Sequence, residues 1–349
     1  MMLFRCTRQK LMAVAALLAS VPLAASPLAN DLDGRIDVGL SLLYQGQYDA
    51  ALDTFRSFSD GNPRNPAGQF FTAGVYQVRE LAYESDAWDR AYDAALDSAL
   101  ALSDRAIDHD PSDPWAYFFR GGTYAYMASR DARGGKLLSA LNHGLSGMSD
   151  LRKAVKLDPV LHDAYLGLGS YHYFRTKATS IFKWLPFIGD RREQGIAELR
   201  TAAARGRYTR ELAQNGLVWV LIDYGKLDQA LESAQALEKE YPANHAFHWG
   251  SADIFYRRGH WTAAAEAYER LLRLNEDAKP MNNYNRVFIK ARLANCRYEQ
   301  GRYAEAESLA REAITLPLPE GAARRLQKER TLAQKVIRLS ENQMRKNRP

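Results

Sequence analysis

Cysteine is almost missing from this chain: Cys6 and Cys296 are the only two in 349 residues. A disulfide framework is therefore excluded, and packing alone must hold the fold. No run is long enough to cross a bilayer. The apolar stretch from Leu11 to Leu23 falls short of the roughly 20 residues a spanning helix needs. Catalytic signatures are missing too, with no Gly-x-Ser-x-Gly elbow, no Cys/His pair of known type and no dinucleotide fingerprint. Arg133-Gly134-Gly135-Lys136 lacks the remaining frame of a phosphate loop and follows no strand, so it reads as a turn between helices. His245 and His248 could share one face of a helix, but a turn separates them from His260 and no cysteine assists. His162 and His172 stand beside tyrosines, where stacking accounts for them. Asp86, Asp89, Asp93 and Asp97 read as a solvated helix face, with no pair set apart for acid–base work. The expectation is no catalytic residue, no metal site and no cofactor.

What is present begins with a leader. Arg5, Arg8 and Lys10 precede the apolar stretch, and Ala24, Ala25 and Ser26 follow it, the order of a secretory signal peptide. Residues 1–25 are read as that leader, of bacterial composition, and the remainder as periplasmic or secreted. Cys6 lacks the Leu-Ala-Gly type context of a lipoprotein cysteine, so no lipid anchor is expected. The net charge of +6 belongs to the ends: residues 1–25 carry +3, residues 321–349 carry +7, and the body between them −4. That distribution argues against a nucleic-acid-binding body.

The body repeats itself. Gly46-Gln47-Tyr48-Asp49-Ala50-Ala51-Leu52 returns as Gly225-Lys226-Leu227-Asp228-Gln229-Ala230-Leu231, as Gly259-His260-Trp261-Thr262-Ala263-Ala264-Ala265 and as Gly301-Arg302-Tyr303-Ala304-Glu305-Ala306. Each copy is a turn entering a helix with one apolar face. Upstream, Tyr165, Leu168 and Gly169 follow Pro159, Tyr117, Gly121 and Tyr124 follow Pro111, and Gly39 holds the small position in the first unit. These patterns resemble the two halves of a tetratricopeptide repeat (TPR), in which a small residue lets two helices approach and a final proline stops the second. The resemblance covers roughly residues 32–317. It implies an all-α, right-handed α-solenoid of about seven helix pairs, beginning near Leu32, Pro66, Pro114, His162, Glu211, His245 and Val287. Pro63, Pro111, Pro159 and Arg207 are spaced by 48 residues and Pro242 follows after 35, against a usual period of about 34. The three units within 64–207 therefore carry extra residues, as longer helices or as excursions at an edge. The solenoid is expected to occupy 26–320. Residues 321–349 should form a basic capping helix and tail, with Leu326, Ala333, Val336, Ile337 and Met344 inward.

The family's groove-facing positions translate here to Phe70, Phe118, Tyr126, Tyr173, Trp219, Trp249, Tyr256 and Tyr298, with Asn215, Asp253, Arg257 and Asn295 among them. Such a strip offers aromatic contact area to an extended peptide or helix of another protein. Packing between helices is the competing role for each ring. The Lys/Asn clamp that some TPR proteins use for a terminal carboxylate is not recognisable. Phe182, Trp184 and Phe187 sit in a segment too apolar for a free loop, interrupted by Pro186. They either plug the solenoid or present an apolar contact to a membrane or protein. Arg324, Lys328, Lys335, Arg338 and Arg345 form a basic stripe on the last helix, suited to an anionic lipid surface or an acidic polymer, or simply to solvent. The functional expectation is a non-enzymatic adaptor of the cell envelope. The alternative is a carrier that holds a small apolar or glycan ligand inside the solenoid. Mass spectrometry of the protein exported from expressing bacteria should find an N-terminus near Ala24 to Ser26; an intact leader there would remove the export reading.

Overall fold

The computed structural model describes residues 26–178, 189–276 and 283–346, and among them every regular element is helical. The leader and the segment holding Phe182, Trp184 and Phe187 lie outside the described residues. After one short turn of helix, α1 (Pro27–Asn30), the helices pair in chain order. The pairs are α2 (Gly34–Tyr44) with α3 (Tyr48–Gly61), α4 (Ala67–Tyr83) with α5 (Asp89–His109), α6 (Pro114–Arg133) with α7 (Leu137–Leu157), and α8 (Ala164–Ala178) with α9 (Arg192–Arg205). Then come α10 (Arg210–Tyr224) with α11 (Leu227–Glu240), α12 (His245–Arg257) with α13 (Trp261–Glu276), and α14 (Asn283–Glu299) with α15 (Tyr303–Thr315). Seven pairs stack into an α-solenoid.

The last helix is not continuous as expected. It breaks at Leu326 into α16 (Glu320–Arg325) and α17 (Gln327–Lys346). Ala333 and Val336 of α17 bury against Ala291, Ala294, Ala306, Ala310 and Ala313. That contact covers the apolar face which the last pair would otherwise leave open, as a terminal repeat requires. The extra residues of the central units go to two places. Helices α5, α6 and α7 have 21, 20 and 21 residues, against 13 in α12 and α15. In the fourth unit, α8 and α9 keep ordinary lengths of 15 and 14, and the addition lies between them.

The turns within pairs share one device. Gly46, Gly135, Gly225, Gly259 and Gly301 all have φ between +68° and +84°, a conformation that costs other residues energy and glycine little. The amide after each glycine reaches a carbonyl five residues back, as in Gln47 to Leu42 (2.9 Å), Lys136 to Asp131 (2.8 Å), Lys226 to Leu221 (2.9 Å) and Arg302 to Arg297 (2.9 Å). Arg133-Gly134-Gly135-Lys136 is thus a helix-ending turn of this series.

Within two central pairs the helices cross glycine to glycine. A methyl group placed on Gly195 of α9 would come within 2.6 Å of the Gly169 carbonyl oxygen of α8, and one on Gly147 within 2.8 Å of the Gly121 carbonyl. Gly121 and Gly169 are the small positions of the repeat; their partners Gly147 and Gly195 had no repeat signature to announce them. Gly195→Ala should destabilise by about 1–3 kcal/mol through overpacking, read in urea melts. Gly216→Ala in α10 is the control, because its methyl group would meet only Leu199 at 3.9 Å. It should be neutral or stabilising by up to about 1 kcal/mol.

Candidate binding cavity

The array closes on itself. At or near the start of several inner helices stands a buried polar residue that reaches another segment of the chain. Asn65 accepts from the Ala67 amide (3.0 Å) and donates to the Leu28 carbonyl (3.1 Å). Asp113 caps Trp115 (2.8 Å) and accepts from the Ser26 hydroxyl (2.7 Å). Asp163 receives the Tyr208 and Thr209 amides at 2.7 and 2.9 Å. In the later pairs the reach is long. Asn244 caps Ala246 (3.0 Å) while its Nδ2 donates to the Tyr44 carbonyl (2.9 Å). Asn285 Nδ2 donates to the Ala82 carbonyl (2.7 Å). Tyr44 and Ala82 lie in the last turns of α2 and α4, where carbonyls have no intrahelical partner. The first two units are thereby fastened across the concave side to the sixth and seventh. Arg207 with Asp37 (3.3 Å), Arg325 with Glu84 (3.4 Å) and the tilted ring contact of Tyr83 with His245 (5.2 Å) follow the same seam.

Behind the seam remains a cavity of about 720 Å³, within the size range of ligand pockets. Its wall takes residues from α2, α4, α8, α10, α12 and α14, among them Leu81, Phe174, Trp219, Trp249, Tyr284 and Phe288. Three of these side chains are unusually open for their size: Leu81 is 49% exposed, Phe174 52% and Trp219 38%. The charged groups of the wall are already matched. Asp253 pairs with Arg257 (2.5 Å), Arg292 with Glu329 (3.2 Å), and Glu84 with Arg133 (3.0 Å). Arg292 also lies over the Tyr256 ring at 4.5 Å and the Phe288 ring at 5.1 Å. A wall whose charges are spent in pairs receives apolar, uncharged groups best.

The aromatic strip expected from the repeat divides here. Trp219 and Trp249 line the cavity. Phe70, Phe118 and Tyr173 are buried, which corrects their reading as partner contacts. Phe70 packs against Phe118 (5.5 Å) and stacks with Tyr126 (5.3 Å), while the Tyr173 hydroxyl donates to the Val220 carbonyl at 3.1 Å. Tyr126 belongs to that same packed group. Tyr256 packs on Trp261 at 5.6 Å, and Tyr298 on Tyr303 at 5.5 Å. All five residues of the basic stripe, Arg324, Lys328, Lys335, Arg338 and Arg345, are exposed. Leu81, Phe174 and Phe288 were not legible as site residues, because each looks like ordinary helix core until the seam fixes what lies opposite.

A tetratricopeptide-repeat family model matches residues 37–95 and 215–279, the first two units and the fifth and sixth. The chain carries tetratricopeptide repeats in these regions. Among solved structures it is similar to the Cut9–Hcn1 hetero-tetramer of the APC/C, at 13% identity and a TM-score of 0.54 over 88% of this chain and 55% of that one. This TPR chain therefore spans about half the length of that match. It is also similar to PilW, a type IV pilus biogenesis factor, at 15% identity and a TM-score of 0.48 over 71% of this chain and 96% of that one. A TPR protein from Thermus thermophilus matches at 19% identity and a TM-score of 0.41, over 64% of this chain and 97% of that one. Identities this low concern the fold alone. No match is found among curated proteins. TPR domains typically bind other proteins and are generally non-enzymatic.

His245 stands on the seam against Tyr83, while His248 is held by the segment just before its own helix. Both are buried; the His248 Nε2–H donates to the Pro242 carbonyl (2.9 Å), and neither ring nitrogen of His245 meets a partner among the described residues. Burial, helped by the neighbouring His248, pushes His245 down to about 4. The unfolded chain, with an ordinary value of about 6.5, then binds a proton that the folded state refuses. The resulting stability is complete above about pH 6.5 and is lost as pH falls toward 4. Urea melts should show a loss of roughly 2–3 kcal/mol from this group between pH 7 and about 4.5. The slope should flatten by that amount in His245→Phe.

Proposed function

We propose that this TPR protein is a non-enzymatic scaffold of the bacterial cell envelope that holds a partner protein through its central cavity. The observation that carries the reading is the convergence of Leu81, Phe174 and Trp219, all substantially open and all lining the same cavity. Leaving three large apolar side chains wet is unfavourable unless something covers them. The wall's balanced charges favour apolar side chains on that partner, such as one turn of an amphipathic helix. The order of the leader supports the envelope location, and the exposed basic stripe of α16 and α17 favours a further acidic or anionic contact.

The carrier reading has its own support in the seam. Asn244 and Asn285 tie α12 and α14 to the ends of α2 and α4, so the concave side is a chamber more than a trough. Affinity capture from envelope extract, beside native mass spectrometry of the purified protein, separates the two. A partner protein whose retention falls tenfold or more in the Phe174→Ala, Trp219→Ala double variant, the scale of a binding hot spot, supports the scaffold. A small molecule lost from the same variant, with no protein captured, supports the carrier and overturns the scaffold.

A further inference from the structure

A second apolar surface lies away from the cavity, on the first half of α7. Leu137, Leu138, Leu141 and Leu145 are 72%, 80%, 46% and 43% exposed. At 100° per residue the four fall within an arc of about 100°, so they form one stripe. From Leu137 to Ser149 the helix carries no Asp, Glu, Lys or Arg, although most of these thirteen positions are open or half-open to solvent. A solvated helix face is ordinarily charged.

The stripe belongs to the hairpin of α6 and α7. Helices α6 and α7 are among the longest in the fold, joined at Gly134-Gly135, both exposed. Antiparallel packing, marked by Gly144 against Tyr171, brings the start of α7 level with the end of α8, and the Arg191 amide donates to Thr176 (3.1 Å) at that same end. Lys136 and Arg191 stand exposed there. The nearby carboxylates are engaged. Asp131 accepts from Ser139 (2.5 Å) and pairs with His143 (2.9 Å), Asp190 pairs with Arg192 (2.6 Å), and Glu193 with Lys226 (3.1 Å). The tip therefore presents protruding leucines beside outward cations.

We infer that the α6–α7 hairpin docks on an anionic lipid surface, with its leucines among the acyl chains and Lys136 and Arg191 at the head groups. A convex, uncharged stripe with cations at its edge matches a fluid interface. A protein groove would have to be shaped to Leu137 and Leu138, which are 72% and 80% exposed. The test is flotation of the protein isolated from cells expressing the full chain, with vesicles of phosphatidylethanolamine and phosphatidylglycerol. The wild type should float, less so at high salt and on phosphatidylcholine vesicles. Leu138→Glu, Leu141→Glu should bind roughly tenfold more weakly or less with an unchanged melting temperature, and Lys136→Glu should remove most of the salt dependence. Comparison with the wild type cancels any contribution from the leader. Equal flotation of wild type and variant overturns the proposal, as does no flotation at all. A lower melting temperature in the double variant would mean that the chain itself covers the stripe. A concentration-dependent mass lost in the variant would mean a second copy covers it. Capture of one protein through the leucines without lipid would mean a protein partner. Each of these three also overturns it.

Discussion

Carbonyl groups at helix ends need donors, and in this fold that requirement decides the shape. An α-helix leaves its last carbonyls without internal partners, and burying one unsatisfied costs about 1–3 kcal/mol. The ends of α2 and α4 are buried here, and the donors arrive from the amides of Asn244 and Asn285, some 200 residues away in sequence. An amide can cap its own helix with its oxygen and serve a foreign carbonyl with its nitrogen. A carboxylate cannot donate in that way. Asp113 and Asp163, standing immediately before α6 and α8, instead accept from Ser26 and from the amides of Tyr208 and Thr209. The choice between Asn and Asp along this row thus sets which segments can be fastened to which.

Once the seam is closed, the interior is filled unevenly. On the side of the early units, Phe70, Phe71, Trp115, Phe118, Phe119 and Tyr208 pack ring against ring at centroid distances of 5.2 to 6.3 Å. On the side of the later units the cavity lining includes Gly216, Ala246, Asn215 and Asn285 beside Trp219 and Trp249. Close packing in one half and a cavity in the other follow from the volumes of the residues that face inward on each side. The cavity wall is correspondingly where large apolar groups stay wet.

Most of the local structure was legible because it is local. The turn glycines announced left-handed positions, the small residues Gly121 and Gly169 announced close helix crossings, and seven pairs begin near the residues where the repeat pattern placed them. What escaped the sequence were contacts between distant segments. Nothing near Asn244 or Asn285 marks them as long-range donors, since Asn at a helix start is already explained by capping. Phe70, Phe118 and Tyr173 looked like surface recognition, when packing between neighbouring repeats places them inside. The 48-residue spacing admitted two solutions, and both occur: longer helices in α5 to α7, and added residues between helices in the fourth unit.

Closure also constrains how anything can be recognised. An open TPR groove reads a run of residues along several inner helices, spreading contacts over the length of a peptide. A chamber fastened by Asn244, Asn285, Arg207 and Arg325 offers no such continuous run, so the proposed recognition would concentrate on what enters the space beside Trp219. Binding energy then rests on a few buried apolar groups, the arrangement in which single truncations cost most. The seam would hold its own geometry during binding, because opening it exposes the Tyr44 and Ala82 carbonyls and the uncharged His245 ring together. Occupancy and closure therefore reinforce each other: a group that fills the cavity adds contacts to both sides of the seam, and a closed seam presents the wall preformed.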